Sequence, residues 1–157
     1  VKYHQDMGLA EELCGLLIEK YQHELKWPID VVTAIPLSRE RYFERGYNQA
    51  FLFARPFAWA IQKPFLPNLV QRKRNTSSQV GLSRSERQKN IQDAFLGQSR
   101  ASGMKVLVLD DVTTTGATLM ECAKALRDQG AQEVYGLTLA KTPSHSNQHF
   151  KINENLI

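Results

Sequence analysis

The chain reads as an α/β domain built on a mostly parallel sheet flanked by helices. Uninterrupted apolar runs alternate with helical stretches, the order that gives strands joined by right-handed crossovers. The clearest run, Val106, Leu107, Val108 and Leu109, has the β-branched character of a strand covered on both faces. With 157 residues, 42% of them hydrophobic, the chain can bury one sizeable core and is too short for two ordinary domains.

The elements follow in order. A helix is predicted from about Leu9 to Leu25, with Leu9, Leu13, Leu16, Leu17, Tyr21 and Leu25 on one apolar face. Asp30 to Pro36, DVVTAIP, is an apolar run ending in turn chemistry and reads as a strand. Asn48 to Gln62 is helical, although Pro56 should kink or divide it. Phe65 to Gln71 and Ala94 to Leu96 are short strands on either side of a charged helical turn, Ser83 to Lys89. A helix from Ala117 to Gln129 is ended by Gly130, and Glu133 to Ala140 supplies another strand. The domain thus spans residues 1–141. The polar stretch from Thr142 to Ile157, with Pro143 and no periodicity, reads as a loose or partner-docked extension.

Composition narrows the function classes. The longest apolar patch, Phe51 to Ile61, is broken by Arg55 and Pro56 and falls short of a membrane span, so no membrane insertion is expected. Val1 to Ala10 carries charges and no apolar core, so no secretory signal is expected there. Cys14 and Cys122 stand alone within helical patterns, as packing residues of a cytoplasmic protein would. No CxxC pair occurs and His4, His23, His145 and His149 are scattered, so no protein-held metal is expected.

The chemistry concentrates after Leu109. In open α/β sheets ligands sit beyond the carboxyl ends of the strands, where Asp110 and Asp111 fall. Ionised carboxylates only accept hydrogen bonds and suit the vicinal hydroxyls of a ribose. Thr113, Thr114, Thr115 and Thr118 supply hydroxyl donors around Gly116, which permits a tight turn. The helix that follows offers unpaired amides and a positive dipole end to an anion. Thr and Asp also make ordinary helix caps, and it is the ordered constellation that points to a sugar phosphate.

Four apolar residues, two acids and a Thr/Gly-rich loop resemble the motif by which type I phosphoribosyltransferases bind 5-phosphoribosyl 1-pyrophosphate (PRPP). That resemblance implies the type I phosphoribosyltransferase fold. It implies that Asp110 and Asp111 hold the ribose 2′ and 3′ hydroxyls, and that Val112, Thr113, Thr114, Thr115, Gly116, Ala117 and Thr118 cradle the 5′-phosphate. Ser38, leaving the first strand, joins this PRPP-binding set.

Two further segments refine the resemblance. Ile35 to Gln49, IPLSRERYFERGYNQ, places Arg39, Arg41 and Arg45 just beyond a strand end, where guanidinium groups can neutralise a pyrophosphate. A solvated helix start, with Glu40 and Glu44 as local partners, is the alternative reading. Its ERGYNQA string, with the later motif, resembles the ComF/GntX family of competence-associated phosphoribosyltransferase-like proteins. Leu69 to Phe95 fits the same family through Arg72 or Arg74, Thr76, Gln79, Leu82, Arg87, Asn90, Ala94 and Phe95 in order. Arg72, Lys73, Arg74, Arg84, Arg87 and Lys89 crowd this stretch and read as a mobile basic loop. In the wider fold the corresponding region closes over PRPP, which protects an activated ribosyl donor from water. A merely solvated loop and a phosphate-backbone contact with nucleic acid are the other readings, although no aromatic platform accompanies the loop.

The resemblance implies attack at ribose C1 with loss of pyrophosphate, in which Arg39, Arg41, Asp110 and Asp111 take the catalytic roles. Mg2+ is expected as a cofactor carried by PRPP itself, not by a protein site. No base for an incoming nucleophile stands out, so three readings stay open: a transferase acting on a nitrogenous acceptor, an accessory protein of DNA uptake that handles single-stranded DNA, and a PRPP-sensing adapter that binds competence proteins. The family commonly carries an upstream cysteine-rich zinc module and often forms homodimers; the module is not in this sequence.

Overall fold

The computed structural model describes residues 2–73, 83–113, 115–141 and 150–152. A four-stranded sheet runs in the order β1 (Val31–Ala34), β4 (Lys105–Thr113), β5 (Glu133–Lys141), β6 (Phe150–Ile152). The first three strands are parallel and β6 is antiparallel to β5. The mostly parallel α/β architecture read from the sequence is therefore present. Phe150–Ile152 lies within the stretch expected to hang loose, yet it pairs with Val134 to Gly136 at the sheet edge.

Two helices cover one face of the sheet: α1 (Lys2–Lys20), which continues as a π-helical turn over Tyr21–Leu25, and α3 (Gln49–Ala60). They bury Cys14, Leu17, Phe53 and Phe57 against Val32, Leu107, Leu109, Tyr135 and Leu137. The other face meets α5 (Ala117–Asp128) and an antiparallel ribbon of β2 (Val70–Arg72) and β3 (Phe95–Gly97). Here Val31, Val106, Val108 and Val134 pack on Val70, Phe95, Leu119, Cys122 and Leu126. Successive strand residues point to opposite faces, which is why the run Val106 to Leu109 is apolar throughout.

Several boundaries differ from those read in the sequence. Among the described side chains of α1, Cys14 and Leu17 are buried while Leu9 and Leu16 are exposed, so the apolar stripe is rotated from the expected face. Pro56 does not divide α3, which is continuous from Gln49 to Ala60. Pro56 lies on the exposed side of the helix, as does Leu52, the residue whose carbonyl loses an amide partner to the proline ring. The strand expected over Phe65 to Gln71 begins only at Val70; Phe65 contributes a single bridge to Val32. Strand β4 continues past Leu109 to Thr113, because Val112 and Thr113 stay paired with Ala140 and Lys141.

The ribbon is fastened to α5 at close range. A Cβ on Gly97 would lie 2.4 Å from the Ala125 carbonyl oxygen, so no larger residue fits without moving backbone. Near the ribbon's other end, the Asp93 amide donates to Glu121 at 3.2 Å and Lys124 pairs with the Asp93 carboxylate at 3.0 Å. The helix α4 (Arg84–Ile91) leads into this junction. No described helix is long and apolar enough to cross a membrane.

Candidate functional site

The carboxyl ends of β1 and β4 share one edge of the sheet, and the Ile35 amide holds them together by donating to the Leu109 carbonyl at 2.9 Å. Asp110 follows directly. By strand alternation it shares the α5 face with Val106 and Val108, and it is buried. Its Oδ1 accepts the Asp111 amide at 2.9 Å, and Asp111 Oδ1 accepts the Val112 amide at 2.8 Å. Each carboxylate thus turns back on the chain and accepts the amide of the residue that follows it. Burial first, then the adjoining Asp111 carboxyl, pushes the Asp110 carboxyl up to about 7, against a downward pull from Arg41.

The turn into α5 closes on itself. Thr113 Oγ1 accepts the Gly116 amide at 3.0 Å and Thr115 Oγ1 accepts the Ala117 amide at 3.3 Å. Both hydroxyls accept a backbone amide here and retain the O–H expected of them as donors. Gly116 caps the helix with φ +81°, a left-handed conformation that explains glycine here. Thr118 is half-buried in the first turn of α5, and Thr114 falls outside the described residues.

The arginine-bearing connection between β1 and α3 contains α2 (Arg39–Arg45), started by Ser38, whose Oγ accepts the Arg41 amide at 3.3 Å. Ser38 is thus engaged as a helix cap. Arg39 and Arg41 are exposed, and Arg41 is near enough to influence both Asp110 and Arg72. Arg45 instead donates to Gln49 Oε1 at 2.7 Å.

The basic residues read as one mobile loop fall partly on described elements and partly outside the described residues. Arg72 belongs to β2, is half-buried, and lies over the Phe95 ring at 5.3 Å. Burial, and then Arg41, pulls its guanidinium below the ordinary arginine range. Lys73 is exposed, with its amide donating to the Ala94 carbonyl at 2.7 Å, so the backbone here is fixed by the ribbon. Arg84, Arg87 and Lys89 fall on α4, while Arg74, with Thr76, Gln79 and Leu82, lies outside the described residues.

Two contributors carry no obvious signal in the sequence. Cys122 is fully buried on α5 beneath the acid pair, where burial and then Asp110 hold its thiol well above its usual range. Asn48 reads in the sequence as a helix start and as part of the ERGYNQA string, without a role of its own; its amide makes two hydrogen bonds at the base of the arginine-bearing connection. Among the described residues no group of three or more His, Cys, Asp or Glu side chains could hold a metal ion.

Residues 48–152 match the phosphoribosyl transferase domain family. The chain belongs to this family. Its relatives include competence protein F of Haemophilus influenzae, 37% identical over 125 residues that cover 78% of this chain and 54% of the relative. The DNA utilization protein YhgH of Escherichia coli K12 is 31% identical over 147 residues, covering 90% of this chain and 64% of the relative. The chain therefore spans between about half and two-thirds of the length of these relatives. Among solved structures, glutamine PRPP amidotransferase from B. subtilis superposes with a TM-score of 0.56 at 20% identity, over 83% of this chain and 26% of that one. Adenine phosphoribosyltransferase from Saccharomyces cerevisiae gives 0.54 at 18% identity, over 86% of this chain and 69% of that one. The phosphoribosyltransferase fold and the likeness to competence proteins, both expected from the motifs, are thus established.

Proposed function

We propose that this phosphoribosyltransferase domain binds PRPP at the carboxyl edge of β1 and β4. The observation that carries the reading is the acid pair Asp110 and Asp111 followed at once by a self-closed Thr/Gly turn into α5. The two carboxylates would accept the ribose 2′ and 3′ hydroxyls. The Thr113 and Thr115 hydroxyls, which accept the Gly116 and Ala117 amides, keep their own protons and would donate them to the 5′-phosphate. Arg41 and Arg72, neither paired with a carboxylate among the described residues, would face the pyrophosphate. Mg2+ would arrive with the pyrophosphate, whose charge it would neutralise.

The same arrangement supports transfer of the ribosyl group, since cations held beside a departing pyrophosphate stabilise the charge that develops there. The names of the relatives, a competence protein and a DNA utilization protein, support a role in DNA uptake or utilisation, in which single-stranded DNA would be the partner to test. Calorimetric titration with PRPP and Mg2+ tests the site itself. The wild type should bind, and a protein carrying both Asp110→Asn and Asp111→Asn should bind at least tenfold more weakly; a wild type without measurable affinity would refute the reading.

A further inference from the structure

The segment from Pro36 to Tyr47 carries Arg39 and Arg41, yet none of the residues of α2 is buried. Packing of its own side chains does not fix where this helix lies, so its placement depends on how its two ends are held. Both ends meet at Asn48. The Asn48 side-chain amide donates through Nδ2 to the Ile35 carbonyl at 2.9 Å, and its Oδ1 accepts the Ala50 amide at 3.0 Å. A carbonyl can only accept and a backbone amide can only donate, and the carboxamide serves both at once because its donor and its acceptor are separate atoms at the end of the side chain. Ile35 in turn donates its amide to the Leu109 carbonyl, one residue before Asp110. A short chain of bonds thus runs from the start of α3, through Asn48 and Ile35, to the acid pair.

Resting on the PRPP reading above, we propose that Asn48 is a positioning residue for pyrophosphate recognition: it clamps the two ends of the arginine-bearing connection and so sets Arg39 and Arg41 relative to Asp110 and Asp111. Helix capping alone would not require asparagine. Aspartate and serine cap equally well, because each offers an oxygen to the amide two residues on. An ionised aspartate has no proton to give the Ile35 carbonyl, and a serine hydroxyl, one bond shorter, stops short of the position from which Nδ2 donates. A residue that acts on the pyrophosphate arm should leave the ribose-phosphate arm alone, since the latter is held by β4 and α5.

This separation gives the test. PRPP with Mg2+ and ribose 5-phosphate, which lacks the pyrophosphate, are each titrated against wild type, Asn48→Asp and Asn48→Ser, with melting curves to confirm folding. Both variants should lose about tenfold or more in PRPP affinity while binding ribose 5-phosphate within about twofold of wild type. An equal loss for both ligands, or an unchanged PRPP affinity in the folded variants, would overturn the proposal. A wild type that binds neither ligand would instead refute the underlying PRPP reading, before any variant is compared.

Discussion

Thr113 and Gly116 are joined by a hydrogen bond from the Gly116 amide to the threonine hydroxyl at 3.0 Å, within the buried floor of the β4–α5 turn. Removing the acceptor leaves that amide without its partner, at a cost of about 1–3 kcal/mol. Thr113→Ala should therefore lower the melting temperature by several degrees and weaken ribose 5-phosphate binding, while Thr113→Ser should restore both. Thermal melts beside calorimetry decide it; a Ser variant as damaged as Ala would show that the methyl group, not the hydroxyl, matters.

The buried Asp110 carboxyl makes stability depend on pH in a definite direction. Its folded value of about 7 lies above the ordinary 3.8, so between those limits the folded state holds a proton that the unfolded state releases. This contribution is complete below about pH 4 and disappears as pH rises through about 7, amounting to a few kcal/mol over the window. Denaturant unfolding at pH 5, 6, 7 and 8 should show stability falling with pH, and Asp110→Asn should flatten that slope. An unaltered slope in the variant would assign the dependence elsewhere.

These relationships were unequally visible in the sequence. Val106 to Leu109 announced a doubly covered strand because burial on both faces leaves no polar position. Asp110, Asp111 and Gly116 stood out because strand end, acid pair and glycine turn follow one another in the chain. Arg72 reads in the sequence as part of a mobile basic loop, since its burial comes from pairing of β2 with β3 and from the Phe95 ring. The same limit applies to Leu16 and to the extension of β4: side-chain periodicity shows that a face is apolar, whereas the neighbour that meets it is set by tertiary packing. Asn48 displayed its cap in the sequence but not the bond to Ile35, which depends on two chain segments converging.

Attachment of the ribbon to α5 rests on Gly97. Because a Cβ there would lie 2.4 Å from the Ala125 carbonyl oxygen, Gly97→Ala forces a shift of either backbone. The expected loss is about 1–3 kcal/mol. In hydrogen-exchange measurements the amides of β2 and β3 should lose protection before those of β4 and β5. Uniform loss across all four strands would mean that the ribbon does not open separately from the sheet.

Arg72 sets stability against ligand affinity. Its guanidinium is half-buried, lies over Phe95 and near Arg41, and has no carboxylate partner among the described residues. Desolvation and like-charge repulsion both oppose this charge in the free protein, while the ring contact returns only about 0.5–1 kcal/mol. Arg72→Gln removes all three effects, so its unfolding free energy should stay within about 1 kcal/mol of wild type or rise above it. PRPP affinity should move the other way, falling about tenfold, because a charge-assisted contact to the pyrophosphate contributes about 1.5–3 kcal/mol. Ribose 5-phosphate, lacking that group, should bind the variant and wild type alike. If Arg72→Gln destabilises the protein and leaves PRPP binding intact, Arg72 is a packing residue of the ribbon and the pyrophosphate is held by Arg39 and Arg41 without it.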